Sequence, residues 1–554
     1  MSSKPTTNAA MDLYYCTHIQ TFAKMEQLIN NNGSSWSELI IYNNSNDFIV
    51  AAATMSILIL AIFWLKLTFF RSSSPSMPPG PYFLPIVGYL PFLGHDDLHK
   101  QFTKMGQTYG PIFKFNVGSR VHVIINTPEL ARVVVRDQDK IFGHRKLTVA
   151  TSVITYGGQE MAFSDSRSTN LRKIFVFEVL NNKNIEACAC FRRDAVRKTV
   201  NDVFSKVGTS LNIGDVAFST VANVITNIVW GNSRSDKGGN NGLLGDEFQA
   251  VAAKIFELIS RVNISDLFPS LAWFDLQGIK RDTMVQHKKL DQIFANIMKE
   301  RIESNSKKLD DGIDIDEKKD FLQILLDLKD KQVLNLHQIK GLILDIMLGG
   351  TDTTTTLLVW AMTEIVRNEN VMKRIQAELE EVVGINNIVE ESHIQKLQYL
   401  AATIKEVLRL HPVGPLLFPR APSEDCMVGG YIVPKGCFVS MNFWAIHRNP
   451  LYWDNPLEFN PERFMSNDKT TNYDLLGNNL QFVPFGSGRR MCPGLQLADK
   501  MQMYILASLL HSFDWRLPEG EKHDLSEKFG IALKKLKPLI VIPSQRLPNA
   551  SLYM

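Results

Sequence analysis

Residues 485–494 read Phe485-Gly486-Ser487-Gly488-Arg489-Arg490-Met491-Cys492-Pro493-Gly494, a cysteine among glycines with an arginine two residues before it. Glycines 486, 488 and 494 permit tight turns and let the backbone lie close against a flat partner. The Arg490 guanidinium offers a fork that matches a carboxylate. A cysteine thiolate is an electron-rich metal ligand, and Phe485 can pack beside the sulfur and shield it from water. A Gly-rich surface loop with an incidental cysteine has a similar composition. The spacing Phe-x-x-Gly-x-Arg-x-Cys-x-Gly is more demanding, because it fixes five positions in ten.

Working outward, three further stretches carry chemistry. Ile339 to Arg367 reads as a long helix interrupted at Gly349-Gly350-Thr351-Asp352-Thr353-Thr354. Each mid-helix glycine costs about 1 kcal/mol, and threonine can bond back to helix carbonyls and bend the axis. The expectation is a locally opened helix with room for a small molecule and waters, although a kink made only for packing would look alike. Glu406-Val-Leu-Arg409 sets opposite charges on one helix face, and Pro461-Glu-Arg463-Phe464 follows about 50 residues later. Between them stands Phe418-Pro-Arg420.

Composition sets the outer bounds. The chain has 554 residues, 45% hydrophobic and 21% charged, with a net charge of +3 that is too small to suggest nucleic acid. Six scattered cysteines are too few for a disulfide scaffold of this size, so a reduced, cytosol-facing domain is expected. Cys188-Ala-Cys190 has no second Cys or His pair nearby and reads as incidental. Phe48 to Leu65 is an uncharged run of 18 residues, about 27 Å as a helix and near the thickness of an endoplasmic reticulum bilayer. Lys66 and Arg71 follow it, whereas residues 1–47 hold two lysines against four acids. The positive-inside rule then puts the N-terminus in the lumen and the rest in the cytosol. Two sequons, Asn32-Gly-Ser34 and Asn43-Asn-Ser45, fall in the lumenal leader.

The organisation expected is a polar leader (1–47), one transmembrane anchor (48–65), a Pro-rich hinge (66–81) holding Pro78-Pro-Gly-Pro81, a main domain (82–545) and a C-terminal tail (546–554). Ile112–Val117 and Val121–Ile125 read as a hairpin. Most of the chain to about 410 reads as helical, broken by polar loops at Asn232–Gly245 and Ser304–Lys319. Prolines at 412, 415, 419, 422 and 434 then favour short strands and winding loops. The fold class is mainly α with a small β subdomain.

Taken in order, these motifs resemble the cytochromes P-450 over about residues 78–545. That resemblance implies the P-450 fold behind one transmembrane helix, and haem b (iron protoporphyrin IX) as cofactor, with Cys492 as the iron's thiolate ligand. It implies Arg490, Arg420 and Arg172 as propionate contacts, Phe485 and Gly486 as the loop against the ring, and Asp352 and Thr353 as the proton-delivering pair for dioxygen. It joins Glu406, Arg409 and Arg463 in one buried network. NADPH–cytochrome reductase is the implied electron donor, with cytochrome b5 as a second candidate. Arg489 and Lys500 belong to a basic face that would steer the reductase. The expected location is the endoplasmic reticulum membrane.

More narrowly, the chain resembles the plant seven-hundred-and-six family. The likeness rests on Leu93-Gly-His-Asp-Asp-Leu-His99, Thr155-Tyr-Gly-Gly158, Asn263-Ile-Ser-Asp-Leu-Phe-Pro269, Phe274-Asp-Leu-Gln-Gly278, Phe418-Pro-Arg420 and Leu536-Lys-Pro-Leu539. It implies hydroxylation of a sesquiterpene or other terpenoid, with a flavone or phenolic as the alternative. A haem-thiolate isomerase or dehydratase, and a non-catalytic haem-binding membrane protein, are the rivals from other classes. By the same likeness the substrate pocket draws on Leu147–Tyr156, Ile346–Thr351, Val413–Leu417 and Phe529–Leu533. One departure stands out. The family has Trp-Arg-x-x-Arg-Lys where this chain has Ser168-Thr-Asn-Leu-Arg172-Lys173. Arg172 survives, Arg167 is left to reach the propionate, and weaker haem retention is implied.

Overall fold

The computed structural model describes residues 52–59, 76–94, 97–164, 169–231, 241–310, 320–465 and 473–554. The chain divides into Met1–Ser73 and Ser74–Met554. In the first unit, residues 52–59 are helical with exposed side chains such as Met55 and Ile57. The rest of the expected anchor, both sequons and Arg167 lie outside the described residues.

In the second unit, helix α1 (Leu98–Tyr109) is followed by strands β1 (Ile112–Val117) and β2 (Arg120–Ile125), the expected hairpin. Helices α2 (Val149–Ile154), α3 (Thr169–Ile174), α4 (Ala189–Phe204) and α5 (Ile213–Trp230) come next, with the short β3 (Leu211–Asn212) before α5. Then follow α6 (Asn241–Ser260), α7 (Ile279–Asp310), α8 (Phe321–Asp330), α9 (Leu336–Arg367), α10 (Glu369–Val382) and α11 (Gln398–Leu410). After them the chain forms β4 (Cys426–Val428), β5 (Tyr431–Val433), β6 (Phe438–Met441), α12 (Leu495–Ser512), β7 (Phe513–Arg516), β8 (Glu527–Lys528), β9 (Lys534–Lys535) and β10 (Ile540–Gln545). β6 joins β2 in parallel, and β10 lies between β3 and β7.

Two expected loops are shorter than the sequence suggested. α6 already begins at Asn241 and α7 continues to Asp310. Lys307, Lys308 and Leu309 are good helix formers, so a polar run there extends the helix.

α9 is also a correction, because its 32 residues run unbroken through the glycine pair. A reciprocal cap starts it: Asn335 accepts from the Gln338 N–H, and Gln338 accepts from the Asn335 N–H, each at 2.9 Å. The two glycines then serve different ends. A Cβ at Gly350 would stand 2.8 Å from Cδ1 of Ile225 on α5, whereas one at Gly349 would meet open space. Close packing against α5 offsets the propensity cost and keeps the helix whole. α5 and α9 are long and apolar enough to cross a bilayer, yet their buried faces build the main core.

The C-terminal residues are docked rather than trailing. The Tyr553 hydroxyl donates to the Ser512 carbonyl at 2.6 Å, and its ring stacks on Phe204 at 4.3 Å.

Candidate functional site

The cysteine loop is held by its own backbone. The Cys492 N–H donates to the Phe485 carbonyl at 2.8 Å. Gly486 and Gly488 adopt φ of 74° and 70°, where L side chains are strained. A Cβ at Gly488 would also lie 2.1 Å from the Val135 carbonyl oxygen. Cys492 ends up just before α12, whose N-terminal dipole favours a thiolate. Burial pushes its thiol up, opposed by the Gly494 N–H and the Arg172 charge.

Cys492, Phe485, Gly486, Arg490, Arg420, Arg172, Asp352 and Thr353 all line one cavity of about 2690 Å³. Arg490 donates to the carbonyls of Gly143 (2.9 Å), Met161 (3.1 Å) and Ser164 (2.6 Å). Arg420 donates to the Ser487 carbonyl at 2.9 Å, and its other terminal nitrogen, Nη1, is buried without a partner. Arg172 donates to the Met491 carbonyl.

A fourth guanidinium, Arg145, was not expected from the sequence. It donates to the Ala162 carbonyl and leaves Nε buried and unpartnered. Burial and the neighbouring Arg490 and Arg420 lower Arg145 to about 9, and burial and Arg490 lower Arg420 to about 10. Among the described residues the hydrogen bonds of Arg145, Arg172 and Arg420 go to neutral carbonyls, and two guanidinium donors, Arg145 Nε and Arg420 Nη1, are buried without a partner. A ring bearing two carboxylates fits that demand, and the cysteine beside it suits a metal at the ring's centre. The residues present therefore fit haem.

Two carboxyls also escaped notice. Asp345 on α9 accepts from the Met161 N–H at 2.8 Å, and Glu160 accepts from the N–H groups of Phe163 (2.6 Å) and Ala162. Burial and the adjacent Glu160 push the Asp345 carboxyl well above its ordinary value. Carboxyls thus grip the N–H groups of 161–163 while arginines grip the carbonyls of 161, 162 and 164. No short motif encodes this, since the partners lie up to 329 positions apart in the chain.

On the opposite wall, Thr353 Oγ1 donates to the Gly349 carbonyl at 2.5 Å, the backward bond expected. Asp352 pairs with Lys534 of β9. The four expected wall stretches do line the cavity, through Thr148, Thr151, Ile154 and Thr155, through 346–351, through 413–417 and through 529–532. Thr148 Oγ1 accepts from the Thr151 N–H, and Thr155 Oγ1 donates to the Thr151 carbonyl at 2.6 Å. Arg489 is paired with Asp139 at 2.7 Å and Lys500 with Glu186, so neither is a free surface cation.

Away from the cavity, Arg409 binds both oxygens of Glu406, at 2.7 and 2.8 Å, and Arg463 reaches the same carboxylate at 3.3 Å. The expected network is therefore present.

Comparison with known proteins agrees with this geometry. A family model described as Cytochrome P450 matches residues 78–542. The flavonoid 3',5'-hydroxylase of Campanula medium is 33% identical over 91% of this chain and 98% of its own. The carnosic acid synthase of Salvia pomifera is 35% identical over 84% of this chain and 93% of its own. A zebra fish cytochrome P450 solved with abiraterone superposes with a TM-score of 0.67 at 26% identity, over 81% of this chain and 99% of that one.

Proposed function

The chain belongs to the cytochrome P450 family and is a monooxygenase of haem-thiolate type, and from that premise we propose that it hydroxylates a small terpenoid, a sesquiterpene above all. The apolar cavity wall carries this reading. Ile346, Met347, Leu416, Leu417, Phe529 and Ile531 offer a hydrocarbon surface, while the hydroxyls of Thr148 and Thr155 are committed to backbone partners. Such a wall selects by shape and has little to offer a polar ligand. Likeness to a carnosic acid synthase supports a terpenoid. A flavonoid is the second reading, favoured by the hydroxylase of Campanula medium and by the unpartnered hydroxyls of Thr351 and Thr355 on α9. Membership of the seven-hundred-and-six family is part of the proposal and rests on the six quoted motifs.

The cofactor in this reading is haem b, which when bound supplies the activation of dioxygen for attack on an unreactive C–H bond. Cys492 donates the thiolate. Arg145, Arg172, Arg420 and Arg490 would hold the two propionates, and Phe485 and Gly486 would face the ring. Thr353 and Asp352 hold and pass protons on the distal side. While the Thr353 hydroxyl donates to the Gly349 carbonyl its lone pairs stay open to accept, and the Lys534 pairing occupies Asp352 Oδ1, leaving Oδ2 to exchange a proton. Electrons come from NADPH through a reductase, with cytochrome b5 as an accessory donor. Residues 48–65 anchor the chain in the endoplasmic reticulum membrane with a lumenal N-terminus, 66–81 form the hinge, and 82–545 form the cytosolic catalytic domain.

The test is expression of the full chain with a plant reductase in yeast membranes, fed sesquiterpene hydrocarbons and flavones separately, with mass spectrometry for added oxygen. An NADPH-dependent oxygenated terpene is expected. Oxygenated flavone alone would overturn the substrate class. Turnover without NADPH would indicate an isomerase or dehydratase, and a normal ferrous–CO spectrum with no NADPH consumption on either panel would indicate a non-catalytic haem protein.

A further inference from the structure

Among the described residues outside the cysteine loop and α9, several charged side chains converge on Glu527, whose side chain is 5% exposed. From α1, His99 Nε2 lies 3.1 Å and Lys100 Nζ 2.9 Å from Oε2. Trp444 Nε1 donates to Oε1 at 3.4 Å, and Arg448 Nη2 lies 3.7 Å from the same atom. His411, just beyond α11, brings Nδ1 to 4.0 Å from Oε1, too far for a hydrogen bond. Burial works to raise this carboxyl, but the His99 hydrogen bond and the charges of Arg448 and Lys100 outweigh it and hold Glu527 at about 2.

The chain beyond Glu527 is what gives the cluster a role. β8 and β9 pair through Glu527↔Lys535 and Lys528↔Lys534, with the Leu536 N–H donating to the Ser526 carbonyl at 2.8 Å just beyond, and a ribbon that short has little stability of its own. Its loop supplies Phe529, Gly530, Ile531 and Ala532 to the cavity wall. Phe529 stacks on His99 with centroids 5.5 Å apart at 16°, so the imidazole that holds the carboxylate also backs the ring. At the far end, the Leu533 N–H donates to the Val413 carbonyl at 2.9 Å, and the Leu533 carbonyl accepts from Trp360 Nε1 at 2.8 Å. Trp360 in turn stacks on His411 at 3.9 Å. One end of the loop is therefore held by Val413 and Trp360 and the other by the side chains around Glu527, and the charge-assisted ties at Glu527 are the strongest kind available.

We propose that Glu527 is a positioning residue for substrate selection: by gathering His99, Lys100, Trp444 and Arg448 it sets where Phe529 and Ile531 stand in the cavity, and so which substrate shapes are admitted. The inference rests on the cavity beside Cys492 being the substrate pocket.

The test uses the full-length chain in membranes and reads ligand-induced haem spectra with two probes. Imidazole is small enough to reach the iron without touching the wall, whereas clotrimazole carries three aryl rings that must pack on it. Phe529→Ala, Glu527→Gln and the double variant are compared with the parent. In all three the ferrous–CO spectrum and the imidazole affinity are expected to hold within about twofold, while clotrimazole weakens about tenfold in each single variant. Because Glu527 acts through Phe529, the double variant should be no worse than the worse single one. Clotrimazole loss that simply adds in the double variant, or equal weakening of both probes by Glu527→Gln, would overturn the proposal in favour of a general structural role. Loss in Phe529→Ala with none in Glu527→Gln would overturn it and leave the pocket reading standing. No loss in Phe529→Ala would overturn the pocket reading and the proposal with it. If Glu527→Gln fails to incorporate haem, Lys100→Gln decides, since that side chain is 42% exposed: clotrimazole-selective weakening of about twofold or more supports the role, and its absence overturns it.

Discussion

Two arginine clusters in this protein look alike in sequence and differ in balance. Arg409 and Arg463 close on Glu406, with Arg409 and Glu406 wholly buried, and the spare donors of Arg409 reach the carbonyls of His447, Pro456 and Glu458. Asn460 N–H also donates to Glu406. Arg409 and Glu406 balance each other one to one with every Arg409 donor paired, and the partly exposed Arg463 is held by the same carboxylate and by the carbonyls of Asp454 and Asn455, so this cluster holds the fold. Arg145, Arg172, Arg420 and Arg490 gather as closely but meet mostly carbonyls, and two of their donors stay orphaned. A buried excess of charge is costly, and it persists where a ligand of opposite charge completes it. Complete pairing marks structure here, and the orphaned donors of Arg145 and Arg420 mark the proposed cofactor cradle.

The largest expected effect breaks the balanced cluster. Glu406→Ala leaves two buried guanidinium groups uncompensated at about 3–5 kcal/mol, a large part of the roughly 5–15 kcal/mol that holds a typical domain. Little folded haem protein should accumulate, as read from yield and thermal melting. Arg420→Leu should do the opposite to the haem-free chain, leaving its melting temperature unchanged or raised. The loaded enzyme should then lose haem roughly tenfold faster, as expected for the loss of one charged hydrogen bond. A haem-free melting loss as large as that of Glu406→Ala would erase the distinction between the clusters.

Thr353→Ala sharpens the contrast from across the cavity. Haem retention should be unaffected while product per NADPH falls and hydrogen peroxide rises, and undiminished product would remove Thr353 from proton delivery. Acid probes the balanced cluster through His447, which accepts from the Val483 N–H at 3.3 Å and lies against Arg409. Burial, Arg409 and Arg448 lower it from 6.5 to about 3. The unfolded chain takes up that proton below about 6.5 and the folded chain only near 3, so stability should decline between those values and then level off. His447→Gln should flatten the fall of melting temperature from pH 6.5 to 4, and an unchanged slope would assign the acid sensitivity elsewhere. The smallest effect is Lys534→Met. Its pairing with Asp352 is half exposed and worth at most about 1 kcal/mol, so melting should barely move while the pH profile of turnover shifts.

Legibility followed the range of the interactions. The cysteine loop, the Glu406–Arg409 pair and the Asp352–Thr353 pair each sit within a few residues, and local spacing was enough to find them. The glycine pair on α9 misled for a physical reason. Propensity charges each glycine against the helix, but Gly350 is where α5 comes into contact, and packing outweighs the local cost. Arg145 carried no signal, because nothing in Phe142-Gly-His-Arg145 points to a propionate. Only the approach of Arg420 and Arg490 gives it that meaning.

The sequence by itself determined which groups are on hand: a cysteine in a glycine-bound loop, a hydroxyl and an acid on one long helix, and a family whose fold brings them to one cavity. Side-chain type and short spacing carry that much, since both are properties of a few adjacent residues. The tertiary structure alone decided that Arg145 joins Arg172, Arg420 and Arg490 on one cavity, that Asp345 and Glu160 grip the N–H groups of 161–163, and that Glu527 ties β8 to α1. Those properties arise from burial and from the convergence of residues hundreds of positions apart, where desolvation and neighbouring charge, rather than residue identity, set what a side chain does.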